Sequence, residues 1–233
     1  PTGPLHVGHG RGAVFGDCLS NLLGFSGYKV TKEYYVNDAG KQIMILTLSV
    51  LYRYHELINE SFKKFFKDFY QGDYIWDISA HLHRKYGDIF FIENLENIKL
   101  DDLDQTILEV KNNLKDKFEI LREESVNYII QDINKTLVNI DVNFDNWYLE
   151  SDLLKSDMLR KTLDKLESKN MIEKKEGALW FKSKDNSDET DRVLVKSNGD
   201  HTYFLSDIAY HQAKSNRNYD CLLYTSPSPR DSN

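Results

Sequence analysis

The chain opens with PTGPLHVGHGRG, residues 1–12, which places two prolines, four glycines and two histidines in twelve positions. Proline fixes φ and lacks an amide hydrogen, and ordering glycine costs the most backbone entropy, so the stretch is expected to turn sharply instead of forming regular structure. From about Gly12 to Leu23 the apolar Val14, Phe15, Cys18, Leu19, Leu22 and Leu23 recur at helical spacing, and Gly24 and Gly27 supply a stop. A glycine-rich turn entering a helix gathers unpaired backbone N–H groups and partial positive charge, a setting that binds anions and phosphates above all. His6 and His9 would add donors there, and Gly8 between them leaves room for a flat ring. The HxGH spacing alone is shared by ordinary surface histidines near a turn. A zinc site at His6 and His9 lacks a neighbouring carboxylate or cysteine to complete it, so no metal is expected.

Working outward, YKVTKEYYV (28–36) reads as a strand from its β-branched and aromatic content. NDAG (37–40) follows, with Asn37 or Asp38 as expected N-cap of a helix through LTLSVLYRYHELI. Loop, helix, strand and helix in that order make half of a parallel α/β unit. Residues 60–140 carry no proline, and 104–140 keeps an apolar stripe of Ile107, Val110, Leu114, Phe118, Leu121, Ser125 and Tyr128, expected as one long helix. A strand at 143–151 precedes a helix capped by Ser151 that runs through Leu166. MIEKK, ALWFKS and RVLVKS then read as strands. The Asn-Gly of VLVKSNGDHTYF signals a hairpin, and 205–214 a helix. The segment 221–233, with two prolines inside three positions, reads as a disordered or foreign tail.

Composition narrows the class. The 233 residues are 40% hydrophobic and 29% charged, as in a globular protein, and no apolar run reaches the length of a membrane span. The net charge of −7 argues against a module that binds nucleic acid mainly by neutralising phosphates, while leaving room for a local basic face. Two distant cysteines, Cys18 and Cys221, without metal-ligand spacing, fit a reducing, cytoplasmic setting.

The longer string PTGPLHVGHGRGAVFGD, then EYYVNDAGKQI, GALWFKS (177–183), DRVLVKSNGDHTYFLSDIAYH (191–211) and NYD (218–220), closely resembles the catalytic domain of class I arginyl-tRNA synthetases. HVGH at 6–9 stands where that class carries its HIGH signature. The resemblance implies a Rossmann-like α/β catalytic domain with a largely helical connective insertion, here incomplete. It divides the chain into 1–50 (first half of the catalytic domain), 51–190 (insertion), 191–220 (return to the catalytic domain with an arginine-pocket segment) and the 221–233 tail.

The implied chemistry is activation of L-arginine by ATP to arginyl-adenylate with release of pyrophosphate, then transfer to tRNA(Arg). No protein nucleophile is needed, so positioning and charge stabilisation carry it. By resemblance His6, Gly8 and His9 bind ATP, with His6 and His9 serving catalysis, and Mg2+ accompanies the phosphates. His9, Tyr203 and Asp207 hold arginine. A guanidinium takes paired charge-assisted hydrogen bonds from a carboxylate, and a phenol can bond or stack on it. Residue types alone would instead let Asp207 cap the helix and Tyr203 join the core.

The resemblance implies a soluble enzyme, monomeric at full length, with no membrane partner. The family's KMSKS-type loop and anticodon-binding domain find no match here, and the chain alone is expected to be inactive. Two rivals stand beside this reading. A nucleotidylyltransferase shares the HxGH logic but has no large helical insertion. A non-catalytic synthetase remnant acting as a binding protein is the other.

Overall fold

The computed structural model describes residues 1–64, 66–98, 102–183 and 190–224. They form two compact units that do not follow chain order: one comprises 1–32 and 38–146, the other 33–37 and 147–224.

The first unit is helical. Helix α1 (Val7–Phe25) begins five residues earlier than its apolar spacing suggests and takes in the glycines at 8, 10 and 12. Helix α2 (Lys41–Ile58) is the central element, burying Ile43, Leu46, Val50, Leu51 and Tyr54. Its N-cap is Gly40 and neither Asn37 nor Asp38. The backbone at Gly40 sits at φ 84, a conformation glycine adopts without Cβ strain. Asp38 is instead buried, and its carbonyl accepts from Arg122 Nη1 at 3.4 Å.

Helix α3 (Asp73–Tyr86) packs on α2. The small Ser79 makes a close approach possible, its hydroxyl donating to Val50 O at 2.9 Å. The expected long helix is two, α4 (Leu103–Leu114) and α5 (Asp116–Val138), broken at Lys115 with φ 52. Unbroken, it would run about 54 Å at 1.5 Å per residue. The break keeps Val110 and Leu114 on one buried face and Phe118, Leu121, Ser125 and Ile129 on the next. Of the expected stripe, Ile107 and Tyr128 are only half-buried.

In the second unit, β1 (Glu33–Val36) is the ordered core of the expected longer strand and pairs with β2 (Asn146–Leu149). Tyr34 stacks on Trp147 at 4.5 Å. Ser151 caps no helix: it lies within α6 (Glu150–Lys155), and a second helix, α7 (Met158–Ser168), follows a break at Ser156 and Asp157. Strands β3 (Ile172–Lys175), β4 (Ala178–Phe181) and β5 (Arg192–Val195) form an antiparallel sheet. Glu176 and Gly177, both at positive φ, close the β3–β4 hairpin with a two-residue turn that matches the strand twist.

The Asn-Gly turn after β5 forms as expected, but its return arm is one bridge, Val195 to His201, before α8 (Tyr203–Ser215) begins. Leu153, Leu159, Leu166, Leu194, Leu205 and Ala209 make this unit's core. Within the tail, 221–224 has no regular structure, and 225–233 lies outside the described residues.

Candidate active site

The HVGH residues form a helix cap. His6 is the N-cap of α1 in extended backbone and His9 is its third residue. The His9 amide donates to His6 Nδ1 at 3.3 Å, and the His6 amide donates to His9 Nδ1 at 3.4 Å. This is the reciprocal logic of a capping box, built from two imidazoles in place of a hydroxyl and a carboxylate. The rings stack with centroids 3.5 Å apart. Gly8 makes that possible, because a Cβ there would meet His6 Cε1 at 2.9 Å. The flat ring lying against Gly8 in this structure is thus that of His6.

Accepting at Nδ1 puts each neutral ring's proton on Nε2, a donor for a ligand. Burial, then the charge of His6, pushes the His9 imidazole below its ordinary pKa. Both histidines are exposed. The amides of Val7 and Gly8 have no acceptor among the described residues, so the helix start offers N–H groups and its dipole to an anion.

The second cluster sits on α8. The helix starts directly after Thr202, whose hydroxyl donates to Val193 O at 2.7 Å and ties the helix to β5. Leu205, Ser206 and Ala209 face the core. Tyr203, 52% exposed, and Asp207 lie one turn apart on the open side. Asp207 is therefore no helix cap and Tyr203 no core residue.

Around Asp207 lies a group of side chains that spacing alone did not single out. Tyr35, on β1, bonds the carboxylate of buried Glu150, and its hydroxyl is pushed far up by burial first, then by the charges of Glu150 and Asp207. Tyr35 and Tyr148 both pack on Tyr210, at 4.6 and 4.7 Å. Lys214 Nζ lies 3.9 Å over the Tyr210 ring, and burial brings its pKa down to about 8 while the charges of Glu33 and Asp207 oppose that fall. Glu33 is clamped by Arg217 at 2.5 and 3.0 Å. The alternation of EYYV, which puts Glu33 and Tyr35 on one face, is the signal that could have revealed part of this group. Aromatic faces and carboxylates together suit a cationic ligand.

Two cavities, of about 440 Å³ at His55, Phe62 and Phe91 and about 310 Å³ at Thr162, Met171 and His211, include none of His6, Gly8, His9, Tyr203 or Asp207. Among the described residues no three His, Cys, Asp or Glu side chains gather as a metal site, and no helix is long and apolar enough to cross a membrane.

Known proteins agree with the motif order. The family described as tRNA synthetases class I (R), catalytic domain, matches residues 2–232. An arginine--tRNA ligase of Thioalkalivibrio sulfidiphilus is 42% identical over 96% of this chain, and one of Legionella pneumophila is 41% identical over the same share. The chain spans 40% of the length of each. A Campylobacter jejuni crystal structure described as an arginyl tRNA synthetase superposes with TM-score 0.79 at 35% identity, covering 94% of this chain and 43% of that one. A Plasmodium falciparum arginyl-tRNA synthetase shares the fold, with TM-score 0.58 at 18% identity, over 91% and 33% of the two chains. The chain belongs to the class I (R) tRNA synthetase catalytic-domain family.

Proposed function

We propose that the chain supplies the amino-acid-activating part of an arginine--tRNA ligase. The reading is carried by the exposure of Tyr203 and Asp207 together on α8, in a chain of this family. Asp207 takes the guanidinium through charge-assisted hydrogen bonds, and the Tyr203 phenol bonds or stacks on it. His9 contributes to the same substrate.

ATP binds through His6, Gly8 and His9. The arginine carboxylate attacks the α-phosphorus, the bond to the β-phosphate oxygen breaks, and pyrophosphate leaves. Charge growing on the phosphoryl oxygens meets the Nε2–H donors and the open amides of α1, with no covalent intermediate on the protein. A terminal ribose hydroxyl of tRNA(Arg) then attacks the adenylate carbonyl and AMP departs. Mg2+ enters as a companion of the ATP phosphates. The divisions at 1–50, 51–190 and 191–220 describe this family organisation. The setting is cytoplasmic, with the full-length enzyme a monomer free of membrane.

The test exchanges the matched region of the Thioalkalivibrio ligase for this chain and measures arginine-dependent ATP–pyrophosphate exchange. Exchange with arginine and none with lysine or citrulline is expected. Exchange driven equally by other amino acids would overturn the reading. His6→Asn separates the histidine's two roles, because Asn retains an N-cap acceptor and removes the imidazole: exchange falls while the helix content holds.

A further inference from the structure

Among the described residues, the His6 and His9 side chains make their hydrogen bonds and ring contact only with each other's residue. Helix α1 behind them buries none of its residues. The ion pair that holds it, Asp17 to Lys32 at 2.7 Å, lies about two turns beyond His9. The direction in which the cap points therefore rests on the chain that enters it, residues 2–5.

One side chain of α3 grips that lead-in. Tyr74, in the first turn of the helix, donates its hydroxyl to Thr2 O at 2.8 Å. A Cβ at Gly3 would stand 3.2 Å from the Tyr74 hydroxyl oxygen, and one at Gly72 would meet Tyr74 Cε1 at 2.5 Å. The ring thus lies in a slot walled by two glycine backbones, and YQGDY (70–74) carries both the tyrosine and one of the walls. The slot is braced on α2, where the Tyr70 amide donates to Ser49 Oγ at 2.9 Å and the Ser79 hydroxyl to Val50 O at 2.9 Å. Between Thr2 and His6 stands Pro4, whose fixed φ removes one of the few torsions through which the lead-in could swing. Burial, then Tyr70, pushes the Tyr74 pKa up to about 12, so the phenol keeps its proton wherever the histidines titrate.

We propose that Tyr74 is a positioning residue for amino-acid activation: its bond to the Thr2 carbonyl, in the slot between Gly3 and Gly72, fixes the lead-in and, through Pro4, the angle at which His6 and His9 present their Nε2 donors. Donors aimed at a reacting phosphorus lose on the order of a hundredfold in rate when displaced by about 1 Å, so the angle matters to the chemistry. The proposal rests on the reading of these histidines as the ATP site.

The test has one arm that does not depend on that reading. In this chain, the imidazole resonances of His6 and His9, followed by NMR, report the cap. Tyr74→Phe keeps the ring and removes the bond. Gly72→Ala displaces the ring without backbone strain, since Gly72 sits at φ −66. Each should move both histidine resonances, and Gly72→Ala should move them no further once Tyr74 is replaced by alanine. In the Thioalkalivibrio chimera, Tyr74→Phe should lower kcat for arginine-dependent exchange about fivefold, the worth of one neutral hydrogen bond, with KM for arginine unchanged. A tyrosine that only supports the fold would lower the urea midpoint and leave the histidine resonances and kcat where they were, and that result overturns the proposal. A loss confined to KM for arginine overturns it too. If the unsubstituted chimera shows no arginine-dependent exchange, the functional reading falls, and the resonances alone decide whether Tyr74 holds the cap.

Discussion

His9 and His6 each accept, at Nδ1, the backbone amide of the other, at 3.3 and 3.4 Å. Protonating the His9 ring at Nδ1 removes the acceptor of the His6 amide and opens the box. Burial, then the charge of His6, holds the His9 pKa below that of the unfolded chain, so its contribution is fully present above about pH 6.5. The contribution is lost as pH falls through the lower folded value. Amide exchange of His6, whose N–H the His9 Nδ1 accepts, should therefore accelerate between pH 7.5 and 5 beyond the ordinary pH dependence of exchange. Unchanged protection factors across that range would show that the cap does not depend on neutral imidazoles.

Asp207→Ala should weaken L-arginine binding in the chimeric ligase. Removing one partner of a hydrogen-bonded charge pair costs roughly 2–5 kcal/mol when the pair is desolvated, and Asp207 is exposed before the ligand arrives, which favours the low end, about 2 kcal/mol. Isothermal titration should show a loss of about thirtyfold, with ATP affinity unaltered. Equal arginine affinity in the variant would remove Asp207 from the pocket.

How much was legible follows from the range of each signal. The alternation in MIEKK and ALWFKS and the helical reading of 205–214 rest on local signals, and all three elements form there, the helix starting two residues earlier at Tyr203. That Tyr203 and Asp207 share a face follows from a spacing of four; that the face is open does not, since residue types alone would let one cap the helix and the other join the core. The start of α1 was hidden because Gly8, Gly10 and Gly12 each cost about 1 kcal/mol in a helix, and propensity has no provision for two histidines capping each other. Glu33 and Arg217 are 184 positions apart, beyond the reach of any window. The break at Lys115 carries no glycine or proline to announce it.

Glu33 gathers Arg217 and the Tyr210 hydroxyl onto one carboxylate. The hydrogen bond to Glu33 raises the Arg217 pKa, and the Tyr210 pKa rises through burial first and then through that carboxylate. Cutting a fully buried pair on one side costs about 3–5 kcal/mol, and Arg217 retains 30% side-chain exposure, so Glu33→Ala should cost about 2 kcal/mol in urea denaturation. Adding Arg217→Met should recover part of that loss, because the stranded guanidinium is gone. A double variant less stable than the sum of the single ones would contradict this account.

Lys115 closes α4 by donating its amide to Lys111 O at 2.7 Å and opens α5 by accepting from the Phe118 amide at 3.0 Å. Both bonds require its φ of 52 and ψ of −130, a region that penalises a Cβ by roughly 1–3 kcal/mol. Glycine relieves that strain and adds freedom to the unfolded chain. Lys115→Gly should therefore stabilise the chain by about 1 kcal/mol. Lys115→Ala retains the Cβ and should bring no gain. The pair separates backbone strain from the loss of the lysine charge, since both variants remove the charge and only one removes the strain. Equal midpoints for the two in urea denaturation would mean that the Cβ at 115 is not what strains the junction.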